Sequence, residues 1–114
     1  MTRRRYAVTL SGEAERDLDN ILLWTRERFG ERQAEIYAAT LQAAVEALTK
    51  TLTPPGAKEQ SEIAPGYYSL HVARSRRRGR HLLLYREDGE GEIVIVRILY
   101  DGMDIARHLP SNDK

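Results

Sequence analysis

The chain has 114 residues, 41% hydrophobic and 31% charged, with 18 Lys and Arg against 17 Asp and Glu. That length fits one small domain, residues 1–114 with a core over about 6–109, and the near-cancelling charge excludes overall charge as a ground for nucleic-acid or membrane binding. The absence of cysteine excludes disulfides and thiolate metal sites. The start, MTRRRYAVTL, lacks the apolar core of a signal peptide. The longest apolar run inside a helix, Ile21 to Trp24, falls far short of the roughly 20 residues of a membrane span, so a soluble cytoplasmic protein is expected.

Tyr6, Val8 and Leu10 alternate with Ala7 and Thr9, which predicts a short first strand. Ser11 offers an N-cap, with Glu13 placed to meet the positive end of the following helix. Ala14, Leu18, Ile21, Leu22, Thr25 and Phe29 form its apolar stripe, and Gly30 its left-handed cap. A second stripe, Ala34, Tyr37, Ala38, Leu41, Val45, Leu48 and Leu52, runs until Pro54-Pro55-Gly56 stops it. So short a link makes the two helices an antiparallel hairpin.

Residues 53–66 read as a polar loop. A strand near Tyr68 to Ala73 follows, with Tyr68, Leu70 and Val72 on one face. His81 to Glu87 and Glu92 to Tyr100 are apolar at nearly every position, as buried central strands are, and Asp88-Gly89-Glu90-Gly91 between them signals a tight hairpin. Met103 to Leu109 reads as a short closing helix and Pro110 to Lys114 as a loose tail. The predicted class is α+β: an antiparallel sheet in β-α-α-β-β-β-α order, joined by the first strand, with the helical hairpin packed on one face.

Five arginines, Arg74, Arg76, Arg77, Arg78 and Arg80, crowd seven positions between two strands, flanked by His71 and His81. Such a field can grip phosphates or an acidic protein segment, because arginine pairs bidentately with both; a solvated loop that deters edge aggregation is the plainer alternative. Arg97 interrupts the apolar run Ile93 to Leu99. A buried guanidinium needs a partner, and Asp104 or Asp101 is the local choice, tying the strand to the closing helix; emergence at a target-binding surface is the alternative. Tyr85, Tyr100, His81 and His108 are the available acid–base groups. No zinc-protease, phosphate-loop or serine-elbow motif is present, and the histidines are not spaced as ligands, so neither metal nor cofactor is expected. Ile36, Ala39, Ala43 and Ala47 lie opposite the second helix's core stripe, and Leu23 points away from the core on the first. These positions can seat another chain, although alanine also simply favours helices.

The pattern H-x-x-x-Y-R at His81, Tyr85 and Arg86, then I-x-I-x-R-I-L-Y-x-x-M-D at Ile93 to Asp104, then His108-Leu109, resembles the ParE branch of the RelE/ParE superfamily of toxins. The A-x-x-D-L-x-x-I pattern at Ala14, Asp17, Leu18 and Ile21 agrees, as do Phe29-Gly30, Ala34 and Tyr37, so the likeness extends from about Tyr6 to Leu109. The resemblance implies the toxin half of a type II toxin–antitoxin pair that inhibits DNA gyrase. It also implies a ParD-like antitoxin wrapped across the helical hairpin and sheet, with no sequence-specific DNA binding by the toxin alone. The target- or antitoxin-binding residues would be Arg74, Arg76, Arg77, Arg78, Arg80, Arg97, Leu23, Ile36, Ala39 and Ala43. The runner-up is a RelE-type messenger-RNA endonuclease using Arg97, Tyr100 and His108. His81 argues against it, since it stands where RelE-like nucleases usually carry arginine.

Overall fold

A computed structural model describes residues 5–109; the expected loose tail, Pro110 to Lys114, lies outside the described residues. The elements are β1 (Ala7–Leu10), α1 (Gly12–Phe29), α2 (Glu31–Leu48), β2 (Lys58–Glu59), β3 (Tyr67–His71), β4 (His81–Glu87), β5 (Glu92–Tyr100) and a 3₁₀ turn at Ile105–His108. The closing helix is thus a single 3₁₀ turn, and the loop after α2 contributes a short edge strand that its polar sequence did not announce.

Ser11 caps α1, its hydroxyl accepting from the Ala14 amide at 3.0 Å. Gly30 alone links the helices. Its amide closes α1 on the Arg26 carbonyl, and its carbonyl receives the Ala34 amide. Its φ of 97° is positive as expected, but ψ of 169° is extended, a region open essentially to glycine. α2 ends at Leu48, a turn before the prolines. Leu52 still packs on the core, and its carbonyl accepts from the Tyr85 hydroxyl at 2.7 Å. Burial pushes the Tyr85 phenol up, and that satisfied bond removes it from the acid–base candidates.

The sheet order is β1-β5-β4-β3-β2. β2 to β5 form an antiparallel meander, whereas β1 pairs parallel with β5, so the sheet is mixed. The helical hairpin covers one face: Ala14, Leu41, Ala44 and Leu48 meet Leu70, Val72, Leu83, Tyr85, Ile93, Ile95 and Ile98. The opposite face holds a smaller cluster of Tyr67, Leu84, Val96 and Leu99 beneath Ala64, Ile105 and Leu109.

A β-bulge decides where Arg97 goes. Leu84 pairs with Arg97 and Tyr85 with Ile95, which leaves Val96 unmatched. Strict alternation from Ile93 and Ile95 would send Arg97 into the helix-facing core; the extra residue shifts the parity, so Ile98 takes that place. Arg97 turns instead to the edge that β1 leaves free, where its Nε and Nη2 donate to Asp17 of α1 at 2.8 and 3.0 Å. The expected partners, Asp101 and Asp104, are not used. The tie to the closing segment does form, through Nη1 and the His108 carbonyl at 3.5 Å. Asp17 also accepts the Ile98 amide at 3.0 Å, and the Ser11 hydroxyl donates to the Val96 carbonyl at 2.9 Å. Side chains thereby continue the ladder where β1 stops.

Candidate functional site: an arginine-walled groove

β3 ends at His71 and β4 begins at His81, so residues 72–80 must cross from strand to strand at the end of the sheet beside α2. The Arg77 amide closes a turn on the Arg74 carbonyl at 2.9 Å, with Ser75 and Arg76 at φ of 53° and 69°. Two consecutive positive φ values describe a type I′-like turn, normally built from Asn and Gly. Side-chain-bearing residues there carry about 1–2 kcal/mol of backbone strain each.

The loop is pinned at its far end. The Tyr37 hydroxyl accepts the Arg80 amide at 3.2 Å and lies 2.7 Å from His81 Nδ1. Burial raises the Tyr37 pKa, so the phenol keeps its proton, and one hydrogen bond joins the hydroxyl to His81 Nδ1. Burial likewise lowers the His81 pKa, despite the opposing pull of Asp101. Gly79 passes so close that a Cβ there would stand 2.7 Å from both the Tyr37 hydroxyl and a Val72 methyl. Arg77 donates to the Thr40 hydroxyl at 3.3 Å, and Arg74 to the Pro55 carbonyl at 3.4 Å.

Asp101 organises the other side. It accepts from His71 Nε2 at 3.0 Å and from Arg80 Nε at 3.3 Å, and the His71 bond followed by the Arg80 bond lowers its pKa. The same pairing raises the pKa of Arg80, whose guanidinium lies 5.0 Å above the Tyr100 ring. His71 Nδ1 accepts the Ala73 amide, which places its proton on Nε2, facing Asp101.

Between this loop and the helical hairpin lies an open groove of about 670 Å³. Trp24, Phe29 and Ile36 supply its apolar side, Arg76 to Arg80 the cationic wall, and His81 and Tyr100 one end. Trp24 and Phe29 are 51% and 63% exposed, and Tyr100 41%. Helical spacing assigns Phe29 to the core stripe. At the last turn of α1 it instead meets Trp24 edge-to-face at 5.9 Å, and Arg28 lies over Trp24 at 4.9 Å. Trp24 falls between Leu22 and Thr25 of a stripe that Ile21, Leu22 and Thr25 already fill, which leaves a large ring with no core position. No metal-binding cluster of His, Asp and Glu occurs among the described residues.

Of the binding residues expected from the sequence, the structure gathers Arg76, Arg77, Arg78, Arg80 and Ile36 around the groove. Leu23 and Ala39 are exposed but do not line it, Ala43 is half-buried, and Ala47 packs on the core and leaves the expected outer face. Arg97 is held by Asp17 on the far side of the strand. The nuclease trio is therefore not brought together in the groove: Tyr100 lines it, whereas Arg97 is held at the β1 edge by Asp17 and touches the His108 backbone. Local sequence carries no signal for the partners of Tyr37, Asp101 and Asp17, which are distant in the chain, whereas the filled stripe around Trp24 is a local sign that its ring lies outside the core.

The model of the family described as the ParE toxin of the type II toxin–antitoxin system parDE matches residues 8–105. Toxin ParE1 of Mycobacterium tuberculosis is 38% identical over 100 residues, covering 88% of this chain and 94% of that protein. Toxin ParE1 of Caulobacter vibrioides is 34% identical over 101 residues, with the same coverage. Among solved structures, the chromosomal ParDE system of P. aeruginosa superposes with a TM-score of 0.65 at 21% identity, over 83% of this chain and 95% of that one, a likeness of fold. The RelBE2 toxin–antitoxin complex of M. tuberculosis superposes at 0.57 with 26% identity, over 87% and 94%. With a family match across nearly the whole helix–sheet body and two relatives above 30% identity, the chain belongs to the ParE toxin family of type II toxin–antitoxin systems.

Proposed function

We propose that this toxin acts in the cytoplasm by binding and poisoning DNA gyrase, and that a ParD-like antitoxin neutralises it by direct contact. The observation that carries this reading is the groove: arginines on one wall and exposed apolar side chains on the other, at the end of a rigid sheet. Arg76 and Arg78 form no salt bridge among the described residues. A cationic surface beside an apolar one suits an acidic, amphipathic segment of another protein. Leu23 and Ile36, both exposed, extend the apolar surface over the hairpin and give an antitoxin tail a path from helices to loop. Inhibition through such a surface needs no acid–base group, in keeping with the separation of Arg97 from Tyr100.

The test is a supercoiling and DNA-cleavage assay with purified gyrase. Cleaved DNA accumulating, or supercoiling lost, in the presence of the toxin supports the reading, and added antitoxin restores gyrase. An unaffected gyrase defeats it and points to the ribosome, with a translation assay and mapping of RNA ends to follow.

A further inference from the structure

The groove combines two chemistries that one ligand class matches together: a row of guanidinium groups, and exposed aromatic rings, Trp24 opposite them and Tyr100 at one end. We propose that it binds single-stranded DNA, the phosphates lying along Arg76, Arg77 and Arg78 and unpaired bases resting on Trp24 and Tyr100. This goes beyond the antitoxin and gyrase readings and requires neither, because it concerns the toxin alone.

Three observations carry it. The groove holds one cation–ring stack, Arg80 over Tyr100 at 5.0 Å, and the half-exposed Trp24 takes Arg28 from outside the groove at 4.9 Å, so both rings accept planar partners. The wall is anchored although the turn within it is strained: Tyr37, Thr40 and Pro55 hold the loop through Arg80, Arg77 and Arg74. The arginines are therefore presented from a fixed frame. Finally, the groove, of about 670 Å³, is open to solvent, so a strand can enter it from the side.

The same features select against other occupants. In a duplex the bases stack on one another and offer no faces to Trp24 and Tyr100. A purely acidic peptide satisfies the arginines but not the half-exposed rings, whereas an acidic segment that also carries apolar side chains competes with the strand for the groove, which is why the toxin is tested free of antitoxin. A ribose 2′-hydroxyl can accept from the same guanidinium groups, so the titration with (rU)12 decides between DNA and RNA. The expected binding is sequence-independent, since stacking and phosphate contacts do not read base edges.

Trp24 is the only tryptophan, so its fluorescence reports the groove without a label. Antitoxin-free toxin is titrated with (dT)12, with a 12-base-pair duplex, with (rU)12 and with polyglutamate, at several KCl concentrations. Saturable quenching by (dT)12 is expected, with log K falling against log salt at a slope of about −2 to −3, as three to four phosphate contacts to a single strand give. The double change Arg76→Glu and Arg78→Glu should weaken binding at least ten-fold and flatten the slope, whereas Arg107→Glu, a charge reversal away from the groove, should not. Trp24→Ala, followed by anisotropy of labelled (dT)12, should weaken binding by about 5- to 100-fold and keep the slope. Both groove variants are at exposed positions, and circular dichroism checks their folding. The proposal is overturned by any of four results: no quenching by (dT)12, equal binding of the duplex, tighter binding of (rU)12, or quenching by polyglutamate alone, which would make the groove a peptide site.

Discussion

Asp17 does three things with one carboxylate: it receives two guanidinium bonds from Arg97 and the Ile98 amide. Replacing it with alanine strands a partly buried cation and a strand amide at once. Asp17→Ala is therefore expected to lose about 2–4 kcal/mol in urea unfolding. Asp17→Asn keeps one acceptor and should lose less. His81 sets a second expectation. Its folded pKa lies below the ordinary 6.5, so on acidification the unfolded chain takes up the proton first. Stability should fall as pH drops from about 6.5 to the folded pKa and level off below it, since the unfolded chain holds more protons than the folded one only in that window. In a pH series of unfolding curves, His81→Gln should show no such slope. Neither role was legible in the sequence. Arg97 was visible as an anomaly, but its partner lies 80 residues away, and a chain read locally offers Asp101 and Asp104 first.

Among elements, the helical hairpin and the glycine turn between β4 and β5 were legible, because both rest on local chemistry: apolar spacing, Ser11, Gly30, and Gly89 and Gly91 at positive φ. The bulge was not, because register belongs to a pair of strands. It makes an unusual prediction. Deleting Val96 removes the bulge but keeps Arg97 opposite Leu84 and Ile98 facing the helices, so a cooperative thermal transition should survive, lowered by the loss of about 1–3 kcal/mol of Val96 burial in the smaller cluster. The arginine loop invites the opposite change. Ser75→Gly relieves a positive φ at some entropic cost, so a gain of about 0.5 kcal/mol is expected from thermal melts. Gly79→Ala should cost about 1–3 kcal/mol, because its methyl meets Tyr37 and Val72.

At the scale of the molecule, a nearly neutral chain concentrates a row of arginines at one end of the sheet. Reversing Arg77 and Arg78 is expected to abolish growth inhibition with little loss of stability, since Arg77 makes only the bond to Thr40 and no ion pair among the described residues. Tyr100→Phe keeps the ring that lines the groove and should retain toxicity; induction in growing cells checks both. The arginine cluster was plain in the sequence, but its opposite wall was not. Phe29 fits the helical stripe by spacing, yet at the last turn of α1 there is no sheet beneath it, and only the assembled hairpin shows that.

The parallel pairing of β1 with β5 also governs when the molecule can come into being. Leu10 reaches its neighbour Ile95 only after every other strand has been made, and closing so long a loop carries a large entropic penalty before any contact offsets it. A nascent chain that stops short of Glu92 has both helices and the arginine loop, yet lacks the strand that joins β1 to the meander and holds Arg97 to Asp17. The cell thus gains an interval during synthesis in which the poison is not yet assembled.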